Sequence, residues 1–290
     1  MFSLFWFRLE EAVKLYLLGF KVLVVQLFSK RFKLPGCRDE RQGVEAIRKI
    51  QEEYNEAKVE FRKLDLASLQ SIHQFVHNFK ERDLPLNILV NNAGVMLVPE
   101  GCTENGFELH FGVNYLGHFL LTWLLLDTLK LSGKSGNFSR VVNVSSSAHR
   151  NGQIRPNDLN SRQCYSAHGA YCHSKLAQLL FSSRLHQELE QGGFPVSSCA
   201  VDPGMVDTSL YRHLWTPLRL AHRIVSLLLF KTPTEGAATV LFAALSPALE
   251  GECGGGYWAN GGRDVTTPLT FDPLIQQQLW ETSHRFLEPQ

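Results

Sequence analysis

Tyr171 and Lys175 stand four residues apart in Ala170-Tyr171-Cys172-His173-Ser174-Lys175, at the head of a helical pattern that runs to about Glu190. A helical turn rises about 5.4 Å, so the two side chains share a face and the ammonium can lie near the phenol. A free phenol loses its proton only near pH 10, and a cation beside it favours the phenolate. Such a pair can give or take a proton at an oxygen near neutral pH. The same spacing also decorates many solvent-facing helices, and the surrounding sequence separates the two readings. Ser145-Ser146-Ser147 closes the apolar run Arg140–Val144, which reads as a buried parallel strand. Leu86–Val90 is a second such strand, ending in Asn91-Asn92-Ala93-Gly94, and Val196–Val201 is a third, followed by Asp202-Pro203-Gly204 with Thr208 just beyond. Asn114 lies in Val113-Asn114-Tyr115-Leu116-Gly117-His118, inside a helical pattern over about Phe107–Leu129. In open α/β sheets the chemistry gathers at the carboxyl ends of the strands, where three of these stretches fall.

The ordered set of Asn-Asn-Ala-Gly, a helical Asn, a strand-end Ser, Tyr-x-x-x-Lys and Pro-Gly resembles the short-chain dehydrogenase/reductase family. The resemblance implies an α/β fold with a doubly wound parallel sheet, Rossmann-like, and a nicotinamide cofactor, NADP or NAD. Carried over residue by residue, it makes Tyr171 the general acid/base. Lys175 lowers the pKa of that phenol and holds the nicotinamide ribose, Ser146 donates a hydrogen bond to the substrate oxygen, and Asn114 supports the proton relay. Asn91, Ala93 and Gly94 line the adenosine side, while Pro203, Gly204 and Thr208 receive the carboxamide. Arg38 would pair with a 2′-phosphate and favour NADP. Asp65 matches the acidic residue near the adenine ring, or is simply a polar residue at a strand end. Ser145 stands as the alternative to Ser146. Ser146 and Tyr171 are further apart than the usual spacing, and the added segment Asn151–His168 is of the kind found in the retinol dehydrogenase-like subgroup.

With 290 residues and a formal net charge of +1, the chain has no long block of like charge, which argues against a nucleic-acid surface. Its six cysteines are scattered, without a Cys-x-x-Cys pair or a His partner at metal spacing, so reduced thiols and a cytosol-facing protein without a metal site fit best.

Met1–Phe28 is rich in Phe, Leu, Val and Trp with charges interspersed, and Lys30-Arg31-Phe32-Lys33 follows. Its longest uncharged run, Leu15–Phe20, is too short to span about 30 Å of hydrocarbon. Residues 1–35 therefore read as an interfacial membrane anchor and 36–290 as the dehydrogenase-like domain; burial of the N-terminal segment as an ordinary core element is the alternative. Lys21–Val25 is β-branched enough to form a strand. Further on, Val44, Ile47, Ile50 and Tyr54 mark one helical face, Val59–Leu64 reads as a strand, and Ser68 is placed to cap the next helix. Strand and helix keep alternating, as in a parallel sheet covered on both faces. Trp215–Phe230 is an apolar stretch which, by the resemblance, covers the substrate; burial against the core is the other reading.

One expected feature is missing. A dinucleotide-binding half opens with a strand, a glycine-rich turn and a helix whose N–H groups hold the pyrophosphate. Before Gly94 the only glycines are Gly19, Gly36 and Gly43, in no such order. Gly36-Cys37-Arg38-Asp39 looks like the end of the family's second strand, so the first β-α-β unit is absent, a gap of roughly 40 residues against a unit of about 30 plus flanks. The sheet is thus expected to be incomplete at its N-terminal half, with Val59–Leu64 pairing directly to Leu86–Val90 or facing a gap, or with Lys21–Phe28 standing in as a first strand. Both ends of the chain, with Phe230-Lys231-Thr232-Pro233, resemble the polyprenol-oxidising branch of the family. That implies a lipid-like polyprenol or dolichal-type alcohol or aldehyde as substrate, a retinoid being the alternative, and a cytosol-facing site on the endoplasmic reticulum or a lipid droplet. Two functions follow: an oxidoreductase with impaired cofactor binding, or a non-catalytic, membrane-attached remnant.

Overall fold

The computed structural model describes residues 40–55, 58–163, 165–206, 230–250 and 254–288. Arg38, Thr208, residues 1–35 and nearly all of the apolar stretch Trp215–Phe230 lie outside them. In chain order the elements are α1 (Glu40–Glu53), α2 (Leu69–Lys80), β1 (Ile88–Asn91), a π-helical stretch Phe111–Leu116 that continues into α3 (Gly117–Ser132), and β2 (Ser139–Val144). A 3-10 turn (Ser147–Asn151), α4 (Ala167–Gln191), β3 (Val196–Asp202), α5 (Pro233–Leu245), β4 (Tyr257–Ala259), β5 (Gly262–Arg263) and α6 (Pro273–Leu287) follow.

The sheet runs β1-β2-β3-β4-β5, its first four strands parallel and β5 folded back antiparallel on β4. Side chains alternate across a strand, and the two sets meet different helices. Leu89 and Val141 join one core with residues of α2, α3, α4 and α6. Ile88, Val90, Val142, Val144, Cys199 and Val201 join the other, closed by Val240, Ala243 and Ala244 of α5. Covering both faces is why these strands read as unbroken apolar runs. The doubly wound parallel architecture is therefore the one expected.

Three local expectations are corrected. Val59–Leu64 is irregular, although Leu64 and Leu66 are buried in the first core. A strand exists only beside another strand, and among the described residues β1 has β2 alone as its neighbour, so Val59–Leu64 does not pair with it. The helix expected over Phe107–Leu129 starts instead at Leu109, passes through a π-helical stretch from Phe111 and extends to Ser132. In α1 the expected apolar face is not closed over: Val44 is 55% exposed, and Gly43 meets the Phe61 ring. The cap at Ser68 forms as expected, its side chain accepting from the Ser71 N–H. Among the described residues no helix is long and apolar enough to cross a membrane.

Candidate active site

Three elements converge at the carboxyl ends of β1, β2 and β3. The π-helical stretch supplies Asn114, which is fully buried. A π turn widens the helix by one residue and is frequent at functional sites. Here it sets Asn114 against the chain leaving β1: Asn114 Nδ2 donates to Val95 O at 3.0 Å, and its Oδ1 accepts from the Val95 N–H at 2.7 Å. The same Nδ2 donates to Ser174 Oγ at 2.9 Å, and Ser174 Oγ donates to Tyr171 O at 2.8 Å. Gly94 occupies the space between; a Cβ there would stand 3.2 Å from Asn114 Oδ1 and 3.7 Å from Lys175 Nζ.

Tyr171 and Lys175 lie one turn apart on α4, which Ser166 opens by accepting from the Gly169 N–H. Lys175 Nζ is 5.8 Å from the centre of the Tyr171 ring, so the shared face predicted from the spacing exists. Lys175 is buried, donating to Val144 O at 2.8 Å and to Gln178 Oε1 at 3.0 Å. Burial pushes its pKa down to about 8, and the nearby Asp202 charge opposes that shift. Tyr171 is buried with its ring edge-on to His110, the centroids 6.3 Å apart.

The serines divide by position. Ser145 is buried and its Oγ donates to Lys175 O at 3.0 Å, committing that hydroxyl to the backbone of α4. Ser146 is half-buried; its Oγ accepts from the Ala148 N–H at 3.2 Å, which leaves the hydroxyl proton to donate elsewhere. His149 Nδ1 holds Ser146 O at 2.7 Å. Of the two, only Ser145 donates its hydroxyl proton to the backbone of α4.

Asn91 is buried at the end of β1 and donates to Thr122 Oγ1 and Asn143 Oδ1, both at 2.9 Å, while its own Oδ1 has no partner among the described residues. Ala93 is buried on the same strand exit. Gly204 takes a left-handed backbone, φ +82°, just after Pro203, and a side chain there would strike Lys231. Asp65 closes its own turn by accepting from the Ala67 N–H at 2.9 Å; that turn meets the start of α3, where a Cβ on Gly117 would be 2.6 Å from Leu66 O. Thus Gly94, Asn114, Tyr171, Lys175 and the Ser145–Ser146 pair come together, with Asn91, Ala93, Pro203 and Gly204 at the neighbouring strand ends and Asp65 one helix start away. Ser174, Gln178 and Asp202 were not singled out in the sequence. Gln178 follows Lys175 by three on a helix and Asp202 precedes Pro-Gly at a strand end, and those were the available signals.

A profile described as short chain dehydrogenase matches residues 21–218. A polyprenol dehydrogenase of Danio rerio is 48% identical over 307 aligned positions, covering 93% of this chain and 94% of that one. The chain belongs to the short-chain dehydrogenase family. Retinol dehydrogenase 12 of Homo sapiens is 43% identical over 251 positions, covering 87% of this chain and 77% of that one. Among solved structures, an uncharacterized protein from Mycobacterium paratuberculosis superposes with a TM-score of 0.67 at 33% identity, covering 87% of this chain and 82% of that one. Family membership places the chain among the oxidoreductases and agrees with the parallel sheet.

A nicotinamide cofactor fits this edge. Gly94 leaves space that a Cβ would fill, directly against Asn114 Oδ1 and the buried Lys175 ammonium, and Gly204 keeps the loop after β3 clear of a side chain.

Proposed function

We propose that this chain is an NAD(P)-dependent oxidoreductase for a lipid-like alcohol or aldehyde of the polyprenol type, with a retinoid as the alternative substrate. The observation that carries the reading is the buried Lys175 ammonium one helical turn from Tyr171, facing the side-chain-free space at Gly94. The similarity to polyprenol dehydrogenase over most of both chains favours the polyprenol, and that to retinol dehydrogenase 12 keeps the retinoid in view.

The bound nicotinamide would supply or take up the hydride. Tyr171 then moves the proton at the substrate oxygen, and Ser146 donates a hydrogen bond to that oxygen. Lys175, charged below about pH 8, favours the phenolate, and its ammonium would hold the nicotinamide ribose. Asn114 positions the helix face through Ser174 and the Val95 backbone. Asn91, Ala93 and Gly94 would line the adenosine side, Asp65 would serve the adenine, and Pro203, Gly204 and Thr208 the carboxamide, while Arg38 would favour the 2′-phosphate of NADP; Thr208 and Arg38 lie outside the described residues.

Cofactor affinity is low in this reading, because no glycine-rich turn precedes β1 to bring backbone N–H groups to a pyrophosphate. The Danio rerio alignment supports an internal gap: 93% of 290 residues is about 270, some 37 fewer than its 307 positions. The same gap favours the second reading, a non-catalytic membrane-attached remnant. Residues 1–35 hold either form at a cytosol-facing membrane of the endoplasmic reticulum or a lipid droplet, although the family match already begins at Lys21.

Thermal melts with NADPH and with NADH decide between them, since only binding to the folded state raises the midpoint. A rise of several degrees at millimolar NADPH, together with turnover that Tyr171→Phe lowers by about 10²- to 10⁴-fold, establishes the enzyme. No shift with either nucleotide leaves the remnant.

A further inference from the structure

Asp202 ends β3, is 7% exposed, and makes three hydrogen bonds. Its Oδ1 accepts from the Gly204 N–H at 2.7 Å, the ordinary turn made by a strand-end Asp. Its Oδ2 does something that turn does not require. It accepts from the Ser147 N–H at 2.7 Å, across the gap to the loop after β2, and from the Tyr257 O–H at 3.0 Å on β4. The Tyr257 ring in turn lies edge-on to His149, 4.9 Å between centroids, and His149 Nδ1–H holds Ser146 O at 2.7 Å. One carboxylate thus fixes the loop carrying Ser146 to the loop carrying Gly204, and Lys175 reaches the same strand ends: its Nζ donates to Val144 O, and Val144 pairs with Val201, the residue before Asp202.

Resting on the reading of Ser146 and Lys175 given above, we propose that Asp202 is a positioning residue of the active site, a carboxylate clamp that sets the spacing of the Ser146 and Gly204 loops and supplies the counter-charge to the buried Lys175 ammonium. A full charge in a buried setting is costly unless hydrogen-bonded and balanced. Three donors satisfy Asp202, and two neutral acceptors satisfy Lys175, so the pair balances charge without a direct bond being needed. The other titratable and charged groups around this carboxylate are Tyr257, whose phenol burial and the Asp202 carboxylate hold well above its ordinary pKa, His149, whose pKa burial lowers, the exposed Arg150–Asp264 pair at 3.3 Å, and Lys231, whose ammonium lies beside Gly204.

The test needs neither cofactor nor substrate, so its result is independent of whether the chain turns over. Full-length protein labelled with 13C-lysine is titrated by NMR, the Lys175 signal being assigned by its loss in Lys175→Met. Asp202→Asn is expected to lower the Lys175 midpoint by about one pH unit, while Tyr257→Phe, which removes one hydrogen bond but keeps the charge, leaves it within a few tenths. An unchanged midpoint in Asp202→Asn, or an equal fall in both variants, overturns the proposal. Should Asp202→Asn not fold, the unmodified protein answers the question: the Ser147 and Gly204 amide signals must move together on acidification with one shared midpoint, and separate midpoints overturn the clamp.

Discussion

Asn114 and Ser174, 60 residues apart in the chain, are joined by a 2.9 Å hydrogen bond from the amide Nδ2 to the hydroxyl, and that hydroxyl donates in turn to Tyr171 O. The bond ties the π-helical stretch to α4 at the point where Tyr171 leaves the helix. Ser174→Ala removes the shared hydroxyl from a fully buried position. Unfolding in urea is expected to show a loss of about 1–3 kcal/mol, the usual cost of leaving a buried polar group short of a partner. A variant as stable as the parent would mean that Asn114 is held by Val95 alone.

Lys175 makes stability depend on pH in a defined window. Its pKa falls from 10.5 to about 8 on folding. Between those values the unfolded chain binds more protons than the folded one, so raising the pH favours folding, by at most about 1.4 kcal/mol per pH unit. Below about pH 8 both states hold the proton and the dependence vanishes. Denaturation from pH 7 to 10.5 should show this rise in the parent and not in Lys175→Met. Any turnover that needs the ammonium should fall over the same range, because the folded protein is losing that charge.

Gly94 is expected to tolerate no side chain. The Cβ of Gly94→Ala would press within 3.2 Å of Asn114 Oδ1, tighter than ordinary contact, in a buried cluster with little room to yield. Overpacking of this kind costs about 1–3 kcal/mol, and here it also pushes Asn114 off Val95. The expected outcome is a lower melting midpoint together with weaker nucleotide binding by the folded fraction. A variant with unchanged melting would show that the cluster can move aside.

Residues 1–35, fused to a soluble reporter, are expected to bring it to the membrane fraction. Their apolar content with interspersed charge and the basic Lys30-Arg31-Phe32-Lys33 suits an interface with anionic lipid. A reporter that stays soluble overturns the anchor.

Much of this protein was legible from local pattern alone. The strand ends after Leu86–Val90, Arg140–Val144 and Val196–Val201, the helix that carries Tyr171 and Lys175, and the cap at Ser68 each rest on a few adjacent residues. Apolar runs, helical spacing and turn residues report directly on such short-range preferences. Tertiary structure decided the rest. Val59–Leu64 has a strand's sequence but lacks a ladder among the described residues, because a strand is completed by a neighbour that its own residues cannot supply. Ser145 and Ser146 are the same residue type side by side. Only the path of α4, which captures Ser145 through Lys175 O, leaves Ser146 facing outward. Asp202 stands before Pro-Gly at a strand end, and only the sheet brings Ser147 and Tyr257 to its second oxygen. Hydrogen bonds between residues 55 apart depend on how strands are ordered in the sheet, which is a property of the folded chain and of no single stretch of it.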